Sequence, residues 1–115
     1  NSWMHNYQRL VKGKPRDQLL MHPDDLTARN LQDGQQVTVR SRVGEVQVAV
    51  CASDEMAPGV VSLPHGWGHN RPGIQMDVAE QHAGVSVNDL TDERFLDPVT
   101  GNAALNGLRV EVVAA

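Results

Sequence analysis

The chain has 115 residues, enough for one domain, and 40% of them are hydrophobic while only 3% are aromatic, so we expect an aliphatic core. The net charge of −4 argues against a nucleic-acid-binding domain, because phosphate binding needs a basic face. No apolar run approaches the length of a membrane-spanning helix, and the single cysteine, Cys51, excludes an internal disulfide. A lone cysteine fits a reducing compartment, so a cytoplasmic location is expected.

The first third of the chain predicts one short strand and one helix. Residues 1–17 are polar, with apolar residues scattered among them. The apolar run Gln18–Met21 predicts a strand. The sequence His22–Asp25 predicts a helix start, because proline is favoured at the first helical position and acidic residues are favoured in the first turn. We expect this helix to turn Leu26 and Leu31 towards the core.

The clearest pattern is an alternation of valines with polar residues in two neighbouring segments joined by Arg42–Gly44. This alternation predicts a β-hairpin with one buried face. Further extended segments are predicted at Val60–Leu63, Gly84–Val87 and Leu108–Val113. Short valine-rich strands with one clear helix favour a small closed barrel, because closure removes exposed strand edges. The valines predicted to be buried are Val37, Val39, Val46, Val48, Val50, Val110 and Val112.

The loop that follows Val60–Leu63 is the most unusual segment. It holds one of the two tryptophans, Trp67, and two of the five histidines, His65 and His69. A purely structural turn gains little from tryptophan and histidine, so the loop is predicted to contact a flat, polar partner. The alternative is that Trp67 packs against the end of the barrel. The glycines between the two histidines argue against a helix there, and no third ligand is evident, so no metal site is expected.

Three long segments of the chain resemble the C-terminal molybdopterin dinucleotide-binding domain of the dimethyl sulfoxide reductase superfamily of molybdopterin oxidoreductases. They are HPDDLTARNLQDGQQVTVRSRVGEVQVAV, DEMAPGVVSLPHGWGH and VSVNDLTDERFLDPVTGNAALNG, in the same order and at similar spacing. The resemblance implies a mainly β fold, a small closed double-psi β-barrel with one or two short helices. It also implies that residues 1–115 are a single domain at the C-terminus of a larger oxidoreductase, similar to formate dehydrogenase or nitrate reductase.

The function implied by the resemblance is to bind molybdopterin guanine dinucleotide and to cap the active site. The domain then supplies neither a catalytic residue nor a metal ligand, because another domain holds the molybdenum or tungsten. An iron–sulfur cluster, where present, also lies elsewhere in the parent protein. The expected partners are the remaining domains of that oxidoreductase, without nucleic acid and without a membrane span.

The resemblance also implies cofactor contacts at particular residues. The N-terminal segment would pass the pterin, unless it is simply a frayed terminus. Asn88 is open to an Asx turn or a helix cap, and Asn106 to a tight turn with Gly107. Many family members carry a lysine near Asn106, and this chain departs from them there. The implied cofactor-binding residues are Asn1, Ser2, His5, Asn6, His65, Gly66, Trp67, Asn88 and Asn106.

The rival interpretation is a recognition module without a redox role, because double-psi barrels also bind substrates or partner proteins. Such a module has no need for both the histidine–tryptophan loop and the segment from Val85 to Gly107. The joint presence of these two segments favours the cofactor-binding function.

Overall fold

In a computed structural model, residues 2–115 are described, and the predicted contact of Asn1 lies outside them. The polar start of the chain forms two short helical segments, and the rest alternates between short strands and helices. In chain order the elements are a 3-10 helix Ser2–Asn6, α1 Gln8–Val11, β1 Leu19–Met21, α2 Pro23–Ala28, β2 Gln36–Arg40, β3 Glu45–Ala52, β4 Val61–Ser62, α3 Asp77–Glu80, a 3-10 helix Val87–Asp89 and β5 Glu111–Ala114.

The five strands form one mixed sheet in the order β4-β1-β3-β2-β5. The predicted hairpin is confirmed, since β2 and β3 are antiparallel with Val37 opposite Val48 and Val39 opposite Val46. Strand β1 lies parallel to β3, and the other pairs are antiparallel. Because Val39 also faces Val112 of β5, the alternating valines of three strands share one face of the sheet.

The core is aliphatic and lies on that face. The five hairpin valines and Val112 are buried, and Val110 is partly buried against them. Helix α2 begins as predicted: the side chain of His22 accepts a hydrogen bond from the amide of Asp24 at 3.1 Å, and Pro23 holds the first turn. Leu26 and Leu31 are both buried, so the predicted inward face of α2 is confirmed.

The sheet curls into half a barrel, and the closed barrel expected above is not formed by strand pairing. Within residues 2–115, the edge strands β4 and β5 are not hydrogen-bonded to each other. A cavity of about 150 Å³ lies where the two edges approach, lined by Val61–Leu63 on one side and by Leu108 and Val110 on the other. Strand β4 is only two residues long, which leaves few backbone groups for closure.

Several element boundaries differ from the prediction. The described residues hold three α-helices rather than one or two, because α1 and α3 have four residues each, too few for a 3.6-residue period to appear in the sequence. The last strand begins at Glu111 rather than Leu108, and Val87–Asp89 is a 3-10 helix rather than extended chain.

Candidate functional site

The N-terminal segment and the histidine–tryptophan loop meet through three aromatic rings. The imidazole of His5 stacks on the indole of Trp67, with ring centroids 4.0 Å apart and an angle of 26° between the planes. The Nδ1 atom of His5 lies 2.9 Å from the Nε2 atom of His69, within hydrogen-bond distance. His69 is only 4% exposed, whereas His5 and Trp67 are partly exposed. The predicted approach of these two segments is therefore present in the fold.

Asn6 fixes the same N-terminal segment to α3. Its Oδ1 atom accepts hydrogen bonds from the backbone amides of Val78 and Ala79, at 2.9 and 3.1 Å. These amides lie in the first turn of a helix, where backbone donors lack partners within the helix. The carbonyl oxygen of Asn6 is thus used inside the domain. A contact between Asn6 and a cofactor stays a prediction, and it would fall to the amide nitrogen.

Backbone contacts bring the chain before Asn88 against the loop. The amides of Gly68 and His69 both donate to the carbonyl oxygen of Ala83, at 2.7 and 3.1 Å. Gly68 has a φ of +103°, and a Cβ atom there would lie 2.8 Å from the Cβ atom of Ser86. The approach therefore requires glycine at position 68. It places Ser86 at the loop, two residues before Asn88.

Three of the predicted contact residues keep their polar atoms free. Asn88, Asn106 and His65 are exposed, and within residues 2–115 their side chains form no hydrogen bond. Asn106 and Val87, the neighbour of Asn88, line the same 150 Å³ cavity as Leu63 of the β4 end. The structure thus places Asn106 and the residue before Asn88 near the point where β4 leads into the loop.

Trp67 forms a ridge between two open clefts. The larger has a volume of about 740 Å³ and includes Lys12, Lys14 and Arg16 among its lining residues. The smaller has a volume of about 370 Å³ and is lined in part by His5 and Pro64. Ring surface of Trp67 therefore faces open space on both sides, with cationic side chains on one of them.

Ion pairs hold the surrounding segments in place. Arg71, just after the loop, pairs with Asp89 of the second 3-10 helix. Arg42 in the hairpin turn donates from Nη2 to Oδ1 of Asp92 at 2.6 Å. The hydrogen bonds from Arg42, followed by the backbone amide of Arg94, lower the pKa of Asp92 to about 2. Burial, followed by the charges of His69 and Arg16, lowers the pKa of His5 below its usual value.

The residues from Ser2 onwards include no group of three histidine, cysteine, aspartate or glutamate side chains placed to hold a metal ion. In the same part of the chain, no helix is long and apolar enough to cross a membrane. The sequence prediction did not include one residue of this cluster in the site, His69, because its partner His5 lies in a remote segment. The only signal was a second histidine in a glycine-rich loop.

The chain resembles several characterised proteins over part of their length. It is 28% identical to a tetrathionate reductase of Salmonella typhimurium over 121 aligned residues, covering 90% of this chain and 12% of that protein. It is 36% identical to biotin sulfoxide reductase of Cereibacter sphaeroides over 55 residues, covering 48% of this chain and 7% of that protein. The chain thus spans about an eighth or less of these relatives.

A solved structure shares the fold. Acetylene hydratase from Pelobacter acetylenicus superimposes with a TM-score of 0.68 at 19% sequence identity, over 84% of this chain and 14% of that one. The model of the family described as "Molydopterin dinucleotide binding domain" matches residues 1–109, almost the whole chain. The chain therefore belongs to the molybdopterin dinucleotide-binding domain family, and molybdopterin is the cofactor of that family.

Proposed function

We propose that this chain binds molybdopterin guanine dinucleotide and caps the active site of a molybdenum or tungsten oxidoreductase, as one domain of a longer polypeptide. The observation that carries the proposal is the convergence of the N-terminal segment and the histidine–tryptophan loop, stacked through His5 and Trp67. The match to the dinucleotide-binding family over residues 1–109 supports it. In the same proposal, contacts with the rest of the polypeptide complete a closed double-psi barrel, and the protein is cytoplasmic.

The side chains around the loop fit the chemistry of a pterin. A pterin edge presents hydrogen-bond donors and acceptors side by side, and neutral amide and imidazole groups can satisfy both. Asn88, Asn106 and His65 have this chemistry, and none of the three spends its side-chain atoms on a hydrogen bond within residues 2–115. The indole of Trp67 adds a flat apolar face and a ring N–H donor.

The proposed role of each residue follows from its position. Trp67 would pack against the cofactor, while Asn88 and His65 would donate or accept hydrogen bonds from it. Gly66 allows close approach of the backbone, because its φ of +96° is unfavourable for other residues. When bound, the cofactor supplies the metal centre at which redox chemistry takes place. This domain contributes binding, orientation and exclusion of water.

The test uses the complete oxidoreductase that contains this chain, with Trp67→Ala and Asn88→Ala variants. Metal and guanine nucleotide are released by acid and measured per mole of purified protein. Loss of a buried stack or hydrogen bond weakens binding by about 1–3 kcal/mol, so both variants should retain less cofactor than the wild type. The rival function, a recognition module without redox role, predicts no change.

Asn102→Ala is the matched control. Asn102 is exposed, and its hydrogen bonds are made by backbone atoms rather than by the side chain. This variant should keep wild-type cofactor content. Wild-type content in both Trp67→Ala and Asn88→Ala would contradict the proposal.

A further inference from the structure

We propose that His69 is a positioning residue, which holds the His5 ring against Trp67 and so fixes the surface that the loop offers to the cofactor. This inference rests on the proposed function, and it assigns a role to a histidine outside the predicted contact residues. His69 is buried and would not itself need to touch the cofactor.

The His69 ring is fixed from several sides. Its Nε2 atom lies 2.9 Å from Nδ1 of His5, and the two rings meet edge to face at a centroid distance of 5.2 Å and an angle of 84°. The ring centroid of Trp67 lies 6.0 Å away, and the backbone amide of His69 donates to the carbonyl of Ala83. His69 therefore has one preferred orientation, and it passes that orientation to His5.

The loop needs such an anchor, because its glycines do not fix its conformation. Gly66 and Gly68 both have positive φ, so the backbone on either side of Trp67 retains wide conformational freedom. A stack between two partly exposed rings is weak and permits sliding. A directional hydrogen bond from a buried side chain removes that freedom, because breaking it would leave a buried ring nitrogen without a partner. The pair of imidazoles thus sets the angle of the His5–Trp67 stack.

The first experiment reads the environment of Trp67 in the 115-residue chain. The Trp3→Phe substitution removes the other of the two tryptophans, so that fluorescence and near-ultraviolet circular dichroism report on Trp67 alone. In this background His69→Leu fills the volume without a hydrogen bond. His69→Gln keeps a polar atom near the position of Nε2. We expect His69→Leu to shift the Trp67 emission to longer wavelength and to reduce its dichroism, and His69→Gln to restore most of both signals.

Two controls separate positioning from general destabilisation. His82→Leu changes an exposed histidine and should leave the Trp67 signals unchanged. His5→Phe keeps an aromatic ring for the stack but removes the nitrogen that faces His69. If His69→Leu fails to fold, His5→Phe decides: an altered Trp67 dichroism supports the proposal, and a wild-type spectrum overturns it.

The second experiment measures cofactor content in the complete oxidoreductase. Loss of the orienting hydrogen bond should lower cofactor retention by about fivefold in His69→Leu, with recovery in His69→Gln. Wild-type Trp67 signals in His69→Leu would overturn this inference alone, because Trp67→Ala could still lose cofactor. Altered Trp67 signals with full cofactor retention in His69→Leu would show that the loop orientation does not serve the cofactor. That result would also overturn the inference. Full retention in Trp67→Ala and Asn88→Ala would instead contradict the proposed function.

Discussion

The imidazole of His5 lies on the indole of Trp67 with ring centroids 4.0 Å apart, although the two residues belong to segments at opposite ends of the sheet-forming region. This stack joins the first 3-10 helix to the loop that follows β4. The pKa of His5 is lowered by burial first, and then by the charges of His69 and Arg16. The folded state therefore favours the neutral form of this ring.

The first prediction concerns the pH dependence of stability. Because the pKa of His5 is lower in the folded chain than its usual value of 6.5, the unfolded state binds more protons between the two pKa values. The contribution of His5 is fully present above the unfolded pKa and is lost as the pH falls through the folded pKa. Urea denaturation at about pH 7.5 and about pH 5 should show lower stability at the acidic pH. The His5→Phe variant should show a smaller difference, and an equal difference in both proteins would contradict the prediction.

The second prediction concerns Asn6. Replacing Asn6 with alanine removes the acceptor of the Val78 and Ala79 amides, and the loss of such a cap costs about 1–2 kcal/mol. Urea denaturation should show this loss, and hydrogen exchange at the two amides should become faster. Asn6→Asp keeps an acceptor oxygen and should stay close to wild type. Equal stability of Asn6→Ala and wild type would show that these bonds are not needed.

The third prediction separates a steric contact from backbone strain. Gly68→Ala places a methyl group 2.8 Å from the Cβ atom of Ser86, while Gly73→Ala, at a φ of +89°, meets no atom within 4 Å. Both substitutions bear the strain of a positive φ, about 1–2 kcal/mol. Gly68→Ala should therefore cost more free energy of unfolding than Gly73→Ala. Equal costs would mean that the segment before Asn88 does not press against the loop.

The hairpin and helix α2 could be predicted from the sequence because their signals are local. Alternating valines identify a half-buried strand, and a proline after His22 identifies a helix start within a few residues. The register then follows, because a shift by one residue would turn Val37 and Val39 to the solvent.

The site could be predicted only in part. The chemistry of His65, Trp67 and Asn88 is visible in the sequence, but the pairing of His5 with His69 depends on how remote segments pack. Asn6 looks in sequence like any exposed amide, and only the fold shows that it caps α3. The barrel edges were also beyond prediction, because β4 has two residues and no alternation can be read over so short a strand.

The fourth prediction tests the core. Val50 is 0% exposed, and Val50→Asp would bury an unpaired carboxylate at a cost of several kcal/mol, enough to unfold a domain of ordinary stability. Gln47→Asp introduces the same group on the exposed face of the same strand and should remain folded. Circular dichroism distinguishes the two variants. A folded Val50→Asp chain would contradict the assignment of this face to the core.

The fifth prediction concerns the ion pair that ties the hairpin turn to the segment after Asn88. Arg42 holds the pKa of Asp92 at about 2, below its ordinary value of 3.8. Its contribution to stability is present above the ordinary value and is lost as the pH falls through the folded pKa. Titration of the Asp92 carboxyl carbon by nuclear magnetic resonance should give this low value, and Arg42→Gln should raise it. An ordinary value in the wild type would show that the pair does not form in solution.

The most direct measurement of the central claim is a structure of the complete oxidoreductase with its cofactor bound. We predict that the molybdopterin dinucleotide lies within about 4 Å of Trp67 and within hydrogen-bond distance of Asn88 or His65. A cofactor that contacts none of residues 65–69 and does not reach Asn88 would contradict it.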